Sequence, residues 1–174
     1  MRNLMTAALA AAILTTMVGA DDSSKDPPKV VLKSPDGKKS YDLQQLTAQG
    51  PVLVRLTCAC SGCDAELPYF QKLQAAYDAK GFKTLAVFRE EPAALESYVE
   101  KKDIHFLWLA DPQGDLWKTF DAKSMPTNIL IDKGGKVIKV VAGCAKDGKN
   151  AQILSSEISK LLNTKEAKVA EAKK

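Results

Sequence analysis

Three closely spaced cysteines constrain this chain more than any other feature. Cys58, Cys60 and Cys63 lie in the stretch T-C-A-C-S-G-C, after an apolar run and before a helical pattern. A Cys-x-x-C pair in the first turn of a helix places its sulfurs on one face, close enough to form a disulfide. The helix N-terminus favours an anion, so Cys60 is expected to ionise more easily and to act as the nucleophile. The stretch therefore predicts a dithiol/disulfide redox site.

The first twenty residues have the pattern of a secretory signal peptide. Arg2 supplies one positive charge, an apolar stretch runs from Ala7 to Val18, and small residues precede a polar segment that starts at Asp21. The apolar stretch is too short to span a bilayer comfortably. We therefore expect residues 1–20 to be a cleaved signal peptide and the rest to be periplasmic or otherwise exported. An uncleaved membrane anchor is the alternative.

Length and charge limit the remaining choices. The sequence has 174 residues and a net charge of +4, and removal of the signal peptide leaves a length that fits one domain. The lysines are scattered among acidic residues, as on a solvated surface, so no nucleic-acid partner is expected. In an oxidising compartment the four cysteines could also form two structural disulfides that staple a non-enzymatic binding module.

Strand and helix patterns alternate after a polar leader at residues 21–29. The predicted elements are a hairpin with strands at 30–32 and 39–41, a helical turn at 42–48, a strand at 51–56, a helix from Cys63 with a kink at Pro68, a strand at 82–88, a helix at 92–102, a strand at 106–110, a short helix at 115–120, a hairpin with strands at 128–132 and 137–141, and a closing helix at 150–163. This alternation predicts right-handed crossovers and a sheet covered on both faces. Residues 164–174 lack an apolar face and are expected to be a disordered charged tail.

This order resembles a thioredoxin fold and, more narrowly, the exported TlpA/ResA-type thiol-disulfide oxidoreductases of the redoxin (AhpC/TSA-like) superfamily. The local motifs that carry the resemblance are Cys60-Ser61-Gly62-Cys63 after an apolar strand, Glu66 and Pro68 in a Cys-x-x-Glu-x-Pro arrangement, Met125-Pro126-Thr127 before a hairpin, and the turns Asp36-Gly37-Lys38 and Asp111-Pro112-Gln113-Gly114. The resemblance implies an α/β thioredoxin-like domain over residues 30–163. Its expected architecture is a three-layer α/β/α sandwich with a central mixed sheet, an N-terminal β-hairpin and a βα insertion.

The resemblance also implies catalytic roles for four residues. Cys60 would attack a disulfide of the partner, and Cys63 would resolve the mixed disulfide. Glu66 would help to handle the proton of Cys63. Pro126 would be a cis-proline that faces the cysteines and pairs with an extended partner chain. The expected reaction is exchange of a Cys60–Cys63 dithiol/disulfide with protein or small-thiol substrates.

Residues next to Cys60 and Pro126 in the sequence are expected to form the substrate-binding surface. Ser61, Gly62 and Met125 would contact the substrate, and the lack of charge at Ser61 and Gly62 favours a reductant over a strong oxidant. The resemblance implies no cofactor beyond the protein's own redox-active disulfide, and no metal. The expected partners are protein thiols and disulfides, with a membrane electron donor as a further candidate, and the protein is expected to be a monomer.

The chain departs from the family pattern at three places. The family usually has an aromatic residue immediately before the first cysteine, where this sequence has Ala59, so Cys60 is expected to be more exposed. Cys58 and Cys144 have no counterparts in the motif. Because the glycine corner at Gly143 of a thioredoxin fold approaches the same surface, all four cysteines are expected on one face. We predict an accessory Cys58–Cys144 disulfide beside a Cys60–Cys63 bridge.

Two other activities fit parts of the pattern. A cysteine cluster can bind Cu(I), as in the Sco-type copper chaperones of related fold, but those use Cys-x-x-x-C and a histidine in a later loop. The single histidine here, His105, begins an apolar strand and is expected to be a core or edge residue. The spacing of Thr57 and Cys60 resembles the Thr-x-x-Cys of a peroxiredoxin-type thiol peroxidase, although Leu53 stands where that motif has proline.

Overall fold

The computed structural model describes residues 31–33 and 40–170. The predicted signal peptide, the leader at residues 21–29 and the turn at 36–38 therefore lie outside the described residues. The described strands are β1 (Val31–Lys33), β2 (Ser40–Asp42), β3 (Val52–Thr57), β4 (Lys83–Phe88), β5 (Leu107–Ala110), β6 (Thr127–Ile131) and β7 (Val137–Ala142). The described helices are α1 (Leu43–Gln49), α2 (Ser61–Asp64), α3 (Leu67–Tyr77), α4 (Pro92–Lys101), α5 (Asp115–Thr119) and α6 (Lys149–Leu161), with a 3₁₀ turn at Asp78–Lys80.

Strand β3 lies at the centre of the main sheet, whose order is β5-β4-β3-β6-β7. It pairs in parallel with β4 and antiparallel with β6, while β4 pairs in parallel with β5 and β6 antiparallel with β7. All six residues of β3 are buried, as expected for a strand covered on both faces. β1 and β2 form the predicted antiparallel hairpin. The predicted α/β thioredoxin-like fold class, with its central mixed sheet, is confirmed.

Side chains of β3 alternate between two hydrophobic cores. Val52, Val54 and Leu56 pack on one face, in the core that includes Leu116 and Trp117 of α5. Leu53 packs on the opposite face, in the core that includes side chains of α3 and α6. Because successive strand residues point to opposite faces, Arg55 shares the face of Leu53, beneath α3 and α6.

Three loops meet at the carboxyl end of β3. Leu56 pairs with Thr127 in the antiparallel ladder, so one further step in register places Pro126 beside Thr57, immediately before the cysteines. The Met125–Pro126 peptide bond is cis, as the resemblance implied. The backbone N–H of Gly143 donates to the Pro126 carbonyl oxygen at 2.8 Å, which brings the loop between β7 and α6 to the same end of the sheet.

The predicted interruption near Pro68 divides the cysteine helix in two. Helix α2 ends at Asp64 and α3 begins at Leu67, with Pro68 in its first turn, where a missing N–H costs no hydrogen bond. Glu66 lies between the two helices, and its backbone N–H donates to the Cys63 carbonyl at 3.1 Å. This break turns the Glu66 side chain inward, where it is fully buried.

The prediction of a disordered tail is wrong for residues 164–170. The Ala167 N–H donates to the Tyr77 hydroxyl oxygen at 2.8 Å, and the Val169 N–H donates to Gln152 Oε1 at 2.9 Å. Val169 is 2% exposed within the core of α3 and α6. A single apolar side chain, held by hydrogen bonds to distant helices, gives no periodic signal in the sequence. Among the described residues, no helix has the length and apolar character needed to cross a membrane.

Candidate active site

The sulfur atoms of Cys58, Cys60 and Cys63 all lie within 4.8 Å of one another. We call these three residues the sulfur cluster. A disulfide joins Cys58 to Cys60, whose Cα atoms are 5.3 Å apart. Cys63 is a free thiol, only 4% exposed, and its Sγ lies 3.3 Å from Sγ of Cys58. Cys60 is the exposed member of the sulfur cluster.

The disulfide observed differs from the predicted Cys60–Cys63 bridge. That prediction assumed that both cysteines occupy one helical turn. The structure instead places Cys60 at the N-cap of α2, with extended backbone angles (φ −110°, ψ 157°), while Cys63 lies inside the helix. The extended backbone brings Cys60 within bonding range of Cys58, since Cα atoms of bridged cysteines usually lie 4.4–6.8 Å apart.

The predicted Cys58–Cys144 disulfide is also absent, although Cys144 lies on the expected face. Its Sγ donates to the Gly62 carbonyl at 3.0 Å, so the thiol is engaged with backbone of α2. This contact places Cys144 beside α2, the helix that carries Cys63. Partial burial raises the pKa of the Cys144 thiol, and the negative charge of Glu66 raises it further. Cys144 therefore remains protonated at neutral pH.

A buried ion pair lies beneath the sulfur cluster. Arg55 Nη2 lies 3.2 Å from Glu66 Oε2, and both side chains are at most 2% exposed. Glu66 Oε1 accepts from the Ala145 N–H at 2.9 Å and from Asn150 Nδ2 at 3.0 Å. Arg55 Nη1 donates to Asn128 Oδ1 at 2.7 Å. We call Arg55, Glu66, Asn128 and Asn150 the buried polar network.

The surroundings of Arg55 compensate for the loss of water. Its guanidinium lies 3.9 Å from the centroid of the Phe70 ring, in cation–π geometry. Burial lowers the pKa of Arg55 from its ordinary value, while the charge and hydrogen bond of Glu66 oppose that effect. Arg55 therefore stays charged and holds the Glu66 carboxylate in place. A single arginine in an apolar strand carries no motif, so the role of this residue could not be predicted from the sequence.

A glycine before α6 completes the environment of Glu66. Gly148 has a φ of +76°, and a Cβ added there would lie 2.7 Å from Cδ1 of Tyr69. Only a residue without a side chain allows this approach of α6 to α3. Asn150 follows two residues later, and its Nδ2 reaches both Glu66 Oε1 and the Gly143 carbonyl, the latter at 2.7 Å. The start of α6 is thus tied to Glu66 and to the loop that carries Cys144.

Glu90 is a second residue of the site that the sequence did not predict. Its Oε1 accepts the backbone N–H of Ala59, the residue between Cys58 and Cys60, at 2.8 Å. Among the described residues, its Oε2 is buried and has no hydrogen-bond partner. The signal in the sequence that could have indicated this role was its position two residues after β4, whose end lies next to the end of β3. A carboxylate there fixes the backbone between the two bridged cysteines.

Asp64, which follows Cys63, anchors the other end of α2. It lies 2.6 Å from Lys102 Nζ and accepts a hydrogen bond from the Tyr98 hydroxyl at 2.5 Å. Burial opposes ionisation of Asp64, but the hydrogen bonds from Lys102 and Tyr98 outweigh it and lower the pKa of the carboxyl. Burial, and then Asp64, raise the pKa of Tyr98. At neutral pH these groups fasten α2 to α4 as a carboxylate, an ammonium and a neutral phenol.

The remaining predicted site residues lie in the first turn of α2 and in the loop before β6. Ser61 is exposed and Gly62 half-buried in the first turn of α2. Met125 is 39% exposed, next to the buried Pro126. Pro126 is linked to the Cys144 loop through the hydrogen bond from Gly143 described above. Ser61 and Gly62 therefore follow Cys60 directly in the chain, and the Met125 side chain is open to solvent in a separate loop.

His105 does not join the cysteines. It is exposed, it pairs with Asp103 at 3.0 Å, and it precedes β5. Because β3, β4 and β5 run in parallel, the residue before β5 lies at the sheet end opposite the sulfur cluster. A cysteine and histidine metal site of the Sco type is therefore not assembled. The three sulfurs could surround a soft metal only when all are reduced, and two of them are bridged here.

Comparison with known proteins supports a redox function for this site. The sequence model of the Redoxin family matches residues 22–155. The thiol-disulfide oxidoreductase ResA of Bacillus thuringiensis subsp. konkukian (strain 97-27) is 32% identical over 120 residues, which cover 68% of this chain and 69% of the relative. ResA of Bacillus subtilis (strain 168) is 29% identical over 119 residues, covering 68% and 66%.

Solved structures give the same result for the fold. A crystal structure described as a putative thiol:disulfide interchange protein DsbE from Chlorobium tepidum superimposes with a TM-score of 0.72 at 26% identity, covering 81% of this chain and 98% of the other. The solution structure of a putative thioredoxin from Neisseria meningitidis gives a TM-score of 0.69 at 26% identity, covering 83% and 95%. Both likenesses extend over most of this chain.

Proposed function

Because this chain belongs to the redoxin family and is a thiol-disulfide oxidoreductase, we propose that it reduces protein disulfides as an exported protein, with Cys60 as the attacking thiolate. The observation that carries the proposal is the exposure of Cys60 at the start of α2, with two further sulfurs within 4.8 Å. A thiolate exposed at a helix N-terminus can reach a partner, and a nearby second thiol can release that partner.

The proposed reaction consists of two thiol–disulfide exchanges. The Cys60 thiolate attacks one sulfur of the partner disulfide, and the other partner sulfur leaves as a thiolate. A second thiolate of the protein, which the family resemblance assigns to Cys63, then attacks Cys60 Sγ and releases the first partner sulfur. The partner gains two electrons, and the protein is left with one disulfide. Its own cysteines supply these electrons, so the proposal requires no other cofactor.

Glu66 and the exposed surface have supporting roles in this proposal. Glu66 is assigned the proton of Cys63, which is consistent with its burial directly after α2. Met125, Ser61 and Gly62 are assigned to the binding of an extended partner segment beside Pro126. The absence of charge at Ser61 and Gly62 favours reduction over strong oxidation. The partners proposed are proteins with disulfides, and a membrane electron donor is a candidate source of electrons.

Reduction of insulin disulfides, with dithiothreitol as the electron source, tests the activity. We expect the wild-type protein to accelerate reduction and Cys60→Ser to abolish the acceleration. Cys144→Ser is the matched control, because serine can still donate to the Gly62 carbonyl, and it should keep the wild-type rate. An undiminished rate in Cys60→Ser would overturn the assignment of the nucleophile.

The N-terminus of the exported protein tests the proposed location. Expression of the full sequence in a bacterial host, followed by fractionation and intact-mass measurement, should yield a periplasmic protein that begins at Asp21. Recovery of the uncleaved chain from membranes would show that the apolar segment is an anchor. Recovery from the cytoplasm alone would contradict export.

A further inference from the structure

We infer that Cys58 is a third redox-active cysteine, which accepts the disulfide from Cys60 and exchanges it with the buried Cys63. This inference rests on the proposed oxidoreductase function, with Cys60 as the attacking thiolate, but assigns the release of the partner from Cys60 to Cys58 in place of Cys63. Oxidised protein then holds one disulfide that moves among three sulfurs, and Cys58 takes part in both of its main forms, Cys58–Cys60 and Cys58–Cys63.

The positions of the sulfurs carry the inference. Cys58 is bonded to Cys60 while the free thiol of Cys63 lies 3.3 Å from Cys58 Sγ, within the roughly 3–3.5 Å of a near-attack arrangement. The Cys63 thiol therefore faces the central sulfur of the cluster. Because all three sulfurs lie within 4.8 Å of one another, they form a bent arrangement, and cysteine side chains must rotate to bring Cys63 Sγ in line with the Cys58–Cys60 bond before the exchange.

The internal step is a balanced exchange. Cys63 loses its proton, and its thiolate attacks Cys58 Sγ. The Cys58–Cys60 bond breaks as the Cys58–Cys63 bond forms, and Cys60 leaves as a thiolate that takes up a proton. One disulfide is present before and after the step, so no external oxidant or reductant is consumed.

Burial gives the two disulfide forms different reactivities. Cys58 is 9% exposed and Cys63 is 4% exposed, whereas Cys60 is open to solvent. The Cys58–Cys60 form presents an exposed sulfur that an incoming thiol can attack, and Cys58 then leaves. The Cys58–Cys63 form encloses both bonded sulfurs and displays Cys60 as a free thiol. The internal step therefore moves the disulfide between an accessible and a protected position.

The backbone around Cys58 is held ready for this exchange. Glu90 Oε1 accepts the Ala59 N–H at 2.8 Å and so fixes the peptide that separates Cys58 from Cys60. On the other side, the helix that carries Cys63 is fastened to α4 through Asp64, Lys102 and Tyr98. The peptide at Ala59 and the helix α2 are thus both held to neighbouring elements by charged groups.

Two-step labelling of wild-type protein tests which cysteine is shared. Oxidised protein is quenched in acid, unfolded and treated with N-ethylmaleimide, then reduced and treated with iodoacetamide. The tryptic peptide from Leu56 to Lys72 contains the whole sulfur cluster, whereas Cys144 lies on another peptide. We expect the maleimide on Cys60 in some molecules and on Cys63 in others, and iodoacetamide on Cys58 in nearly all. Maleimide mainly on Cys58 would show a simple Cys60–Cys63 pair and overturn the inference.

Trapping with glutathione disulfide separates this inference from the proposed function. If Cys58 can attack Cys60, reduced Cys63→Ser will release glutathione and accumulate little mixed disulfide, whereas Cys58→Ser/Cys63→Ser will retain it on Cys60. We expect at least about a tenfold difference in the glutathione adduct, measured by intact mass. Equal, stable adducts on both variants would overturn the inference and leave the oxidoreductase intact. Absence of an adduct on Cys60 in the double variant would contradict the proposed function itself, and with it this inference.

Discussion

The sulfur cluster and the buried polar network lie next to each other but differ in their freedom to change partners. Each sulfur has another sulfur within 4.8 Å, and one of them, Cys60, is exposed. In the network, Glu66 accepts three hydrogen bonds, and Arg55 is fixed by Glu66, Asn128 and the Phe70 ring. The cluster can therefore exchange bonds while the network keeps its geometry. Substitutions in the cluster should change chemistry, and substitutions in the network should change stability.

Replacement of Cys60 should give the largest effect on activity with little effect on stability. Cys60→Ser should reduce the rate of insulin reduction by more than about a hundredfold, because loss of a nucleophile removes the covalent step. Since Cys60 is exposed, the free energy of unfolding of the reduced protein should change by less than about 0.5 kcal/mol. Urea unfolding of reduced wild type and variant measures this. A large loss of stability would show that the cluster also supports the fold.

Replacement of Glu66 should give the largest effect on stability. Glu66→Gln leaves the buried Arg55 guanidinium without its counterion, and loss of one partner of a buried pair costs about 3–5 kcal/mol. Urea unfolding at neutral pH measures this loss, with Glu96→Gln on the exposed face of α4 as the matched control. A loss of unfolding free energy below about 1 kcal/mol would show that the buried polar network does not hold the fold as expected.

Glu90 lies between the two regions and should give an intermediate result. Glu90→Ala removes the acceptor for the Ala59 N–H and should lower the free energy of unfolding by about 1 kcal/mol. It should also change the proportion of Cys58–Cys60 to Cys58–Cys63 found by two-step labelling. Glu90→Gln keeps an acceptor oxygen and should restore both properties. Glu91→Gln, at the neighbouring exposed residue, is the control. If it changes both properties as much as Glu90→Ala does, Glu90 has no specific role at the sulfur cluster.

Cys144 should show the smallest effect, through the pH dependence of its labelling. Burial, with the charge of Glu66, raises its pKa, so iodoacetamide should modify it with a midpoint above the ordinary thiol value of about 8.5. Because the folded state holds this proton more tightly, its contribution to stability is present below the unfolded pKa and declines as the pH rises through the folded pKa. Mass spectrometry of peptide 140–146 measures the rate. A midpoint below 8.5 would contradict the influence of Glu66.

Local sequence patterns were sufficient to predict most of the fold. The apolar run at 51–56, the glycine turn after Ile131 and the amphipathic pattern of α6 each depend on neighbours along the chain. The strands and helices observed lie within one or two residues of their predicted limits for β3, β4, α4, β7 and α6. Pro68 likewise predicted the interruption that separates α2 from α3. These features follow from periodicity and backbone restriction, which short segments already express.

One contact between distant residues and one local backbone conformation accounted for what the sequence did not predict. Val169 appeared to belong to a charged tail, yet it packs in the core of α3 and α6. The disulfide partner of Cys60 depended on whether its backbone was helical or extended, and the structure has the extended form. The first prediction failed on a contact that is distant in sequence, and the second failed on a local backbone conformation.

The sequence alone determined that this is a thioredoxin-like chain with a cysteine-rich redox site at the start of a helix, because spacing and periodicity are local properties. Only the tertiary structure decided that Cys58 lies between Cys60 and Cys63, and that Arg55 and Asn150 hold Glu66. Asn150 lies 84 residues from Glu66 in the chain. Such a contact forms because the packing of α6 on α3 excludes water, and a carboxylate buried there requires donors whatever their distance in sequence.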